Sequence, residues 1–219
     1  SLFRPPTLLA KMADALDEIS AGRFILGLGA GNWEAEHTMF GYPFDHRVGR
    51  FEEAIQIIAP LLREGAVDFH GRYYQATNCV LRPRGPSPSG PPIWVGGSSR
   101  AALRRTVEHG EAWHPINRTP DQLREGKAEI LRLCERFGRA TPPELTLRID
   151  ARVVLDGEAY PKPAHAGHML VGTPSELAEQ IAELREIGIN HLSLEFVGRD
   201  FEDFTAQVDA FAERVRPHL

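Results

Sequence analysis

The sharpest local signal in the sequence is a run of glycines, Gly27, Gly29 and Gly31, at the end of a short apolar segment over residues 23–28. Glycines at every second position, where a strand passes into a loop, let a flat ligand or a phosphate approach the backbone closely. The run does not fit a dinucleotide-binding fingerprint, because Asn32 stands where the third glycine of that fingerprint belongs. Taken alone, the motif is compatible with a tight structural turn or with a ligand site.

A second glycine motif, Gly96-Gly97-Ser98-Ser99, follows an apolar strand predicted over residues 92–96 and leads into a helix. A serine N-cap behind two glycines exposes backbone amides at the positive end of the helix dipole, which suits a phosphate or a carboxylate. The arginines Arg100, Arg104 and Arg105 follow on that helix and add positive charge. The alternative is an ordinary strand-to-helix loop, with the arginines on a solvated helix face.

Composition and charge exclude several classes of protein. The 219 residues have a formal net charge of −5, which gives no overall attraction to nucleic acid or to anionic lipid. No apolar run approaches the roughly 18–20 residues that cross a bilayer. The two cysteines, Cys79 and Cys134, and the nine histidines show no metal-ligand spacing. We therefore expect a cytoplasmic protein with reduced cysteines, without a metal site, and without a membrane or nucleic-acid partner.

Helices and strands alternate along the sequence. Helical spacing or a Thr-Pro capping box predicts helices over residues 8–19, 49–63, 99–109 and 201–215 and helices that begin at Thr119 and Thr173. Apolar or β-branched runs predict strands over residues 23–28, 92–96, 111–115, 145–155 and 191–197. A hairpin is expected over residues 67–74, and residues 156–172 show no period and are expected to form a loop.

Strands separated by helices imply parallel pairing and an α/β architecture. No repeat or linker divides the sequence, so residues 1–219 are predicted to form one domain. The chain begins at Ser1 without a methionine, and its first helix has no strand before it. A closed (β/α)8 barrel needs three strands more than the five predicted, so we expect an incomplete barrel that lacks its three N-terminal βα units.

Several motifs together resemble the luciferase-like flavin and deazaflavin oxidoreductases, in particular their branch that depends on coenzyme F420. They are Phe3-Arg4-Pro5-Pro6, Ser20-Ala21-Gly22-Arg23-Phe24, the glycine run, Phe69-His70-Gly71-Arg72-Tyr73-Tyr74, Pro92-Ile93-Trp94-Val95-Gly96-Gly97-Ser98 and Val171-Gly172-Thr173-Pro174. Each string is short, but together they follow the family's order over nearly the whole chain. The resemblance implies a luciferase-like (β/α)8 barrel of TIM type with its cofactor across the carboxyl-terminal mouth.

The resemblance also implies roles for both glycine motifs. The ring system of the cofactor would be lined by Gly27, Gly29, Ala30, Gly31 and Asn32. The phosphate would be held through the backbone amides of Gly96, Gly97 and Ser98. Trp113 lies near the end of the next predicted strand, where it would form a wall of the pocket or pack in the core.

The catalytic residues are not assigned by the resemblance. Family members often show Gly-Trp-Asn-Glu after the glycine turn, whereas this chain reads Asn32-Trp33-Glu34. Glu34 and Glu36 are therefore candidates for the catalytic acid, and solvated helix residues are the interpretation we favour for both. The Asp/His constellation that the family draws from its first three strands has no counterpart in this sequence.

The reaction implied is hydride transfer between F420 and a small organic substrate. Loops 27–36, 96–99 and 113–118 would form three sides of the site, and residues 156–172 a lid. An FMN-dependent monooxygenase that uses reduced flavin and oxygen is the alternative, and a non-catalytic cofactor-binding protein is a second one. Because family members often dimerise, a homodimer is also expected.

Overall fold

The computed structural model describes residues 3–155 and 168–219. The chain divides into two compact units, Ser1–Ala112 and Trp113–Leu219. The prediction that residues 1–219 form one domain stays a prediction. Within the described ranges, no helix combines the length and the apolar character that crossing a membrane would require.

The first unit alternates helices with short strands. Its helices are α1 (Pro6–Ile19), α2 (Glu34–Met39), α3 (Arg47–Glu64) and α4 (Arg100–His109). Its strands are β1 (Leu26–Leu28), β2 (Ala66–His70), β3 (Gln75–Val80) and β4 (Ile93–Val95), and β5 (Ala112–Trp113) lies at the boundary of the two units. Strands β1 and β4 are parallel neighbours, and β2 and β3 form an antiparallel hairpin.

Helix α3 provides much of the core of the first unit. Phe51, Ile55, Ile58 and Leu62 recur at helical spacing and are fully buried, as their sequence pattern predicts. Each such side chain contributes roughly 1.5–3 kcal/mol by leaving water. Gly65 ends the helix in the left-handed conformation at φ 80°, which only glycine adopts without strain.

The buried side of helix α1 carries two aspartates beside the core residues Ala10 and Ala13, which the sequence did not predict. Met12 and Leu16 are exposed, whereas Asp14 and Asp17 are buried. The Asp14 carboxylate accepts a hydrogen bond of 2.9 Å from the Gly85 backbone amide, and the Asp17 carboxylate accepts a longer one from a second amide in the same loop. These two carboxylates satisfy buried loop amides and so set the orientation of the helix.

The hairpin turn is organised by one carboxylate. Glu53 on α3 accepts hydrogen bonds from the backbone amides of Arg72, Tyr73 and Tyr74, at 2.8, 2.7 and 3.0 Å. Because these amides bind a side chain, they cannot join the strand ladder, and the expected strand at Tyr73 begins instead at Gln75. A Cβ atom on the preceding Gly71 would overlap the same carboxylate.

The second unit is built around one long strand. Its strands are β6 (Glu144–Val153), β7 (Leu170–Gly172) and β8 (Ile189–Phe196), and both β7 and β8 pair with β6 in parallel. Its helices are α5 (Pro120–Phe137), α6 (Pro174–Ile187) and α7 (Phe201–Ala210), and a π-helical turn, Phe211–Val215, continues α7. Both predicted capping boxes are confirmed at Thr119 and Thr173.

Strand β7 corrects the prediction of a loop over residues 156–172. Leu170–Gly172 pairs with residues 151–153 of β6, so a sixth strand joins the five that the sequence indicated. Three residues are too few to show a periodicity, which explains why the pattern was missed. The remainder of the predicted lid, residues 156–167, lies outside the described residues.

Candidate functional site

The two glycine motifs follow neighbouring parallel strands of the first unit. Gly27 lies opposite Trp94 and Leu28 opposite Val95, and the Gly96 amide donates a 2.8 Å hydrogen bond to the Leu28 carbonyl. Since the strands are parallel, their carboxyl ends meet at the same edge. The structure therefore brings together the two motifs that the sequence singled out, 65 or more residues apart.

The backbone at the end of β1 is open where side chains would otherwise stand. No atom lies within 4 Å of the position that a Cβ atom would take on Gly27 or on Gly29. Gly27 is exposed, Ala30 is partly buried and Asn32 is exposed. The first unit thus leaves room for a flat ligand against the backbone of Gly27 and Gly29.

Gly31 differs from the other two glycines because its backbone and its surroundings both require glycine. Its φ is +71°, and a Cβ atom would lie 2.8 Å from Nε2 of His37. His37 is 1% exposed, with Nδ1 3.3 Å from the Pro43 carbonyl oxygen. Arg47 donates from Nε to the Gly31 carbonyl at 3.0 Å and lies over the Phe44 ring. The contacts of His37 and Arg47 thus hold the turn at Gly31 in place.

Sequence reasoning missed His37 and Arg47 as supports of this turn. Neither residue belongs to a motif with a known spacing, and Arg47 lies 16 residues from the carbonyl that it binds. A lone histidine in a short helix gives no local signal of such a role.

One of the three amides predicted to hold the phosphate, that of Gly96, already has a partner in the sheet. The Gly96 amide is used within the sheet, so it does not join the predicted phosphate cradle. Gly97 adopts φ +99°, and Ser99 accepts a 3.2 Å hydrogen bond from the Ala102 amide as the N-cap of α4. Gly97 and Ser98 remain the candidates for anion contacts at this helix end.

Two of the three predicted arginines serve the packing of helices. Arg104 and Arg105 both pair with Glu52 on α3 at 2.6 Å, and Arg104 also binds Glu108. Arg105 is 4% exposed. Their guanidinium groups therefore join α4 to α3, and Arg100 lies at the exposed start of α4.

The two glutamates considered as catalytic acids lie in the first turn of α2. Glu34 is exposed and Glu36 is partly exposed, and the helix has only six residues. Trp33, at its N-cap position, is 59% exposed. Neither glutamate is held against another titratable group by a described contact, so the catalytic assignment stays a prediction.

Trp113, in the second unit, is a core residue. It is 1% exposed, and its ring lies so close to Gly126 of α5 that a Cβ atom there would overlap it. Its carbonyl accepts a 2.9 Å hydrogen bond from the Thr146 hydroxyl. Of the two roles open to it from the sequence, packing is the one that the structure shows.

A row of polar side chains on β6 is the chemical feature that sequence reasoning missed. Thr146, Arg148, Asp150 and Arg152 alternate with buried apolar residues along this strand. Alternation of this kind points one set of side chains away from the apolar packing. This alternation is visible in the sequence, and it could have revealed the polar row.

His114 joins this row through a directed hydrogen bond. Its Nδ1 lies 2.8 Å from the Thr146 hydroxyl oxygen, which already donates its proton to the Trp113 carbonyl. The histidine must therefore be the donor at Nδ1. Burial lowers the pKa of His114, and the nearby charges of His191 and Arg148 lower it further. These effects favour the neutral form of the ring, and the contact with Thr146 favours the tautomer with its proton on Nδ1.

Charged groups further along β6 are paired. Arg148 pairs with Asp150 at 3.0 Å and with Glu195 on β8. Asn117, in the left-handed region at φ 50°, exchanges two hydrogen bonds of 2.9 Å with Asp150. These contacts tie the loop after β5 to β6.

The end of β6 is closed by a buried ion pair. Arg152 is fully buried and binds both carboxylate oxygens of Asp203, at 2.9 and 3.0 Å, together with the Val197 carbonyl. Its guanidinium, and that of Arg199, hold the pKa of Asp203 far below the usual range of a carboxyl group. This arrangement anchors α7 to β6.

Curated relatives include an uncharacterized protein and a monooxygenase that is named for its dependence on FMNH(2). It is 34% identical over 143 residues to an uncharacterized protein of Mycobacterium tuberculosis, covering 65% of this chain and 49% of that protein. The chain thus matches about half the length of that relative. It is 24% identical to an FMNH(2)-dependent dimethylsulfone monooxygenase of Pseudomonas putida, covering 97% of this chain and 70% of that enzyme.

Solved structures confirm the predicted α/β fold. The monooxygenase RslO1 from Streptomyces bottropensis matches with a TM-score of 0.81 at 22% identity, covering 99% of this chain and 75% of that chain. An F420-dependent secondary alcohol dehydrogenase in complex with an F420-acetone adduct matches with a TM-score of 0.79 at 18% identity, covering 98% and 75%. At these identities the likeness shows the fold alone.

The family follows from the sequence itself. Residues 1–160, about three quarters of the chain, match the model of the luciferase-like monooxygenase family. This agrees with the resemblance carried by the two glycine motifs. The chain therefore belongs to the luciferase-like monooxygenase family.

Proposed function

We propose that the protein is an oxidoreductase that binds coenzyme F420 at the paired glycine motifs and transfers a hydride between this cofactor and a small organic substrate. The observation that carries the proposal is the meeting of both motifs at one edge of the β1–β4 pair. One motif offers bare backbone to a ring system, and the other offers amides at a helix N-terminus to a phosphate.

The residues present fit such a cofactor. The uncovered faces of Gly27 and Gly29 leave room for a planar ring, and a larger residue would fill that room. Gly97, at φ +99°, turns the chain into α4, so that the amides around Ser98 lie at the positive end of the helix. His37 and Arg47 would keep Gly31 in place when the ring binds.

Bound F420 would supply hydride chemistry, whereas the protein would supply position and shelter from water. The backbone at the end of β1 would orient the ring face towards the substrate. The amides of the second motif would neutralise part of the phosphate charge. Glu34 and Glu36 are the candidates for the acid or base that handles the substrate proton.

Direct binding tests this proposal. The purified protein is titrated in parallel with F420 and with FMN, and fluorescence or calorimetry reports each dissociation constant. We expect F420 to bind more tightly than FMN. Tighter binding of FMN would contradict the F420 assignment, and binding of neither would contradict a cofactor site at the glycine motifs.

An FMN-dependent monooxygenase is the second candidate, and the relatives favour considering it. The Pseudomonas putida enzyme, which matches nearly the whole chain, is named for its dependence on FMNH(2). The same glycine motifs would suit either cofactor, since both carry a planar ring and a phosphate. Oxygen consumption by the protein supplied with reduced FMN and candidate substrates, above the rate of free reduced FMN, would support this second function.

A further inference from the structure

Helix α1 exposes an apolar stripe along one side. The stripe consists of Leu8, Met12, Leu16 and Ile19, and Ile19 is 80% exposed. These residues recur at intervals of three or four positions, so their side chains lie on the same side of the helix. Single exposed apolar residues are ordinary, but a continuous row on one element indicates a surface that packs against another protein surface.

The other side of α1 already packs within the first unit. Ala10 and Ala13 belong to the same buried cluster as Phe51 of α3. Asp14 and Asp17 bind backbone amides of the loop over residues 85–87. The helix is therefore held in place from its buried side, and the stripe is not needed to attach it to its own unit.

Four positions on the exposed side have the spacing of a coiled-coil seam. Leu8, Met12, Ala15 and Ile19 are exposed and are separated by four, three and four residues. This alternation of three and four is the repeat along which two helices pack side by side. In an antiparallel pair of identical helices, the long side chain of Met12 lies level with the short Ala15 of the second copy, and Leu8 lies level with its Ile19. The row is thus complementary to itself in size.

The charges beside the row are complementary in the same arrangement. Lys11 and Glu18 are exposed, lie seven residues apart on one flank of the row, and form no ion pair within residues 3–155 and 168–219. With Met12 level with Ala15 of an antiparallel copy, Lys11 is about 3 Å along the helix axis from Glu18 of that copy. In a parallel pair the same two groups would be about 10 Å apart along the axis. The antiparallel arrangement therefore pairs both charges twice, by one twofold axis.

We infer that the exposed side of α1 is an interface with a second copy of this chain, in which the two α1 helices pack antiparallel with Met12 level with Ala15 of the other copy. The row is provided by one helix of 14 residues, about 21 Å long, so the interface is small and its dissociation constant is expected in the micromolar range. The inference does not depend on which cofactor the protein binds.

Analytical ultracentrifugation over a range of protein concentrations tests the apolar row. We expect a reversible equilibrium between monomer and dimer, and a dissociation constant higher by about tenfold or more in Met12→Gln. The matched control is Leu131→Gln, because Leu131 of α5 is 42% exposed, close to the 39% of Met12, and lies outside the row. A protein that stays monomeric up to roughly 200 μM, or equal weakening by both substitutions, would overturn the inference.

Exchange of the flanking charges tests the orientation. Lys11→Glu places two carboxylates opposite two carboxylates, and Glu18→Lys places two ammonium groups opposite two ammonium groups, so each variant should dimerise about tenfold more weakly than the unmodified protein. An equimolar mixture of the two variants restores both ion pairs in a heterodimer and should associate as tightly as the unmodified protein. A mixture that associates no better than either variant alone would contradict the antiparallel pairing.

Two further measurements exclude simpler explanations. Glu125→Lys makes the same charge change at an exposed glutamate of α5, and its mixture with Lys11→Glu should associate more weakly than the mixture that contains Glu18→Lys. Equal association of the two mixtures would show a diffuse charge effect and contradict the interface. Thermal unfolding well below the dissociation constant should give the same melting temperature for Met12→Gln and the unmodified protein, whereas only the latter should gain stability as its concentration rises. A variant that gains stability equally would remove Met12 from the interface.

Discussion

The end of β1 in the first unit and the polar row of β6 in the second unit differ in what their side chains contribute. At β1 the side chains are missing, and the space beside Gly27 and Gly29 is empty. On β6 the side chains are polar, three of the four are charged, and each has a partner, as Arg152 has in Asp203. The room at the end of β1 exists because glycines have no side chains, whereas the stability of the β6 row requires that each charge has a partner of opposite sign. Substitutions should therefore act through size in one region and through charge in the other.

The largest expected effect is that of Asp203→Asn on the charge-dependent region. The variant leaves the fully buried guanidinium of Arg152 without its counter-charge, which we expect to lower the free energy of unfolding by roughly 3 kcal/mol. Urea denaturation at neutral pH measures this. Because the folded-state pKa of Asp203 is lowered, the stabilisation is present above its unfolded pKa of about 3.9 and is lost as the pH falls below it.

Arg199→Gln is the control for this prediction. Arg199 contacts the same carboxylate at 3.2 Å but is largely exposed. Its removal should change the free energy of unfolding by less than about 1 kcal/mol. Equal losses in the two variants would show that exposure does not govern the strength of this network.

Gly97→Val tests the size-dependent region where the backbone is also constrained. Gly97 has φ +99°, and a Cβ atom would lie 3.1 Å from that of Ala102. A β-branched residue should lower the free energy of unfolding by about 1–3 kcal/mol and abolish cofactor binding. Urea denaturation and a cofactor titration measure the two effects. Full cofactor binding by the folded variant would remove this loop from the proposed site.

Gly27→Ala separates binding from stability most cleanly. Since no atom lies near the new methyl group and φ is not positive, we expect no measurable loss of stability. If the cofactor ring occupies this space, its affinity should still fall by about tenfold, as for the loss of about 1.4 kcal/mol. Unchanged affinity would show that the ring lies elsewhere. Gly29→Ala, which is equally open, serves as the replicate.

The smallest expected effect concerns His114 and pH. Burial holds the pKa of His114 in the folded state below its usual value of about 6.5, which applies to the unfolded state. At a pH between the folded-state pKa and the unfolded-state pKa, the unfolded state binds the proton and the folded state does not. The histidine should therefore make the protein less stable as the pH falls below about 6.5. We expect His114→Gln to weaken this dependence in urea denaturation at several pH values. The same pH dependence in both proteins would contradict the prediction.

Features encoded within a few residues were predicted well. The serine N-cap at Ser99 and the capping boxes at Thr119 and Thr173 each depend on neighbours three positions away. Local chemistry decides such features, so a single sequence is enough. The parallel pairing of β1 with β4 followed from the alternation of helices and strands.

Features that depend on distant partners were missed or predicted wrongly. The exposed apolar side of α1 is understandable only from the loop amides that Asp14 and Asp17 bind, about 70 residues away. The hydrogen bond between His114 and Thr146 spans 32 positions, and the pair of Arg152 with Asp203 spans 51. No rule of local spacing connects such residues. The alternating charges of β6 can be read from the sequence, but the sequence does not show which residues they pair with.

The carboxylate of Glu53 has a consequence for engineering the hairpin. It accepts hydrogen bonds from three main-chain N–H groups in the connection between β2 and β3, so these bonds do not depend on the identity of the side chains there. The exposed Arg72 can therefore be exchanged for other residues, proline excepted, without loss of these hydrogen bonds, whereas Tyr74 also packs against the core of the first unit. Gly71 and Glu53 are the two fixed points.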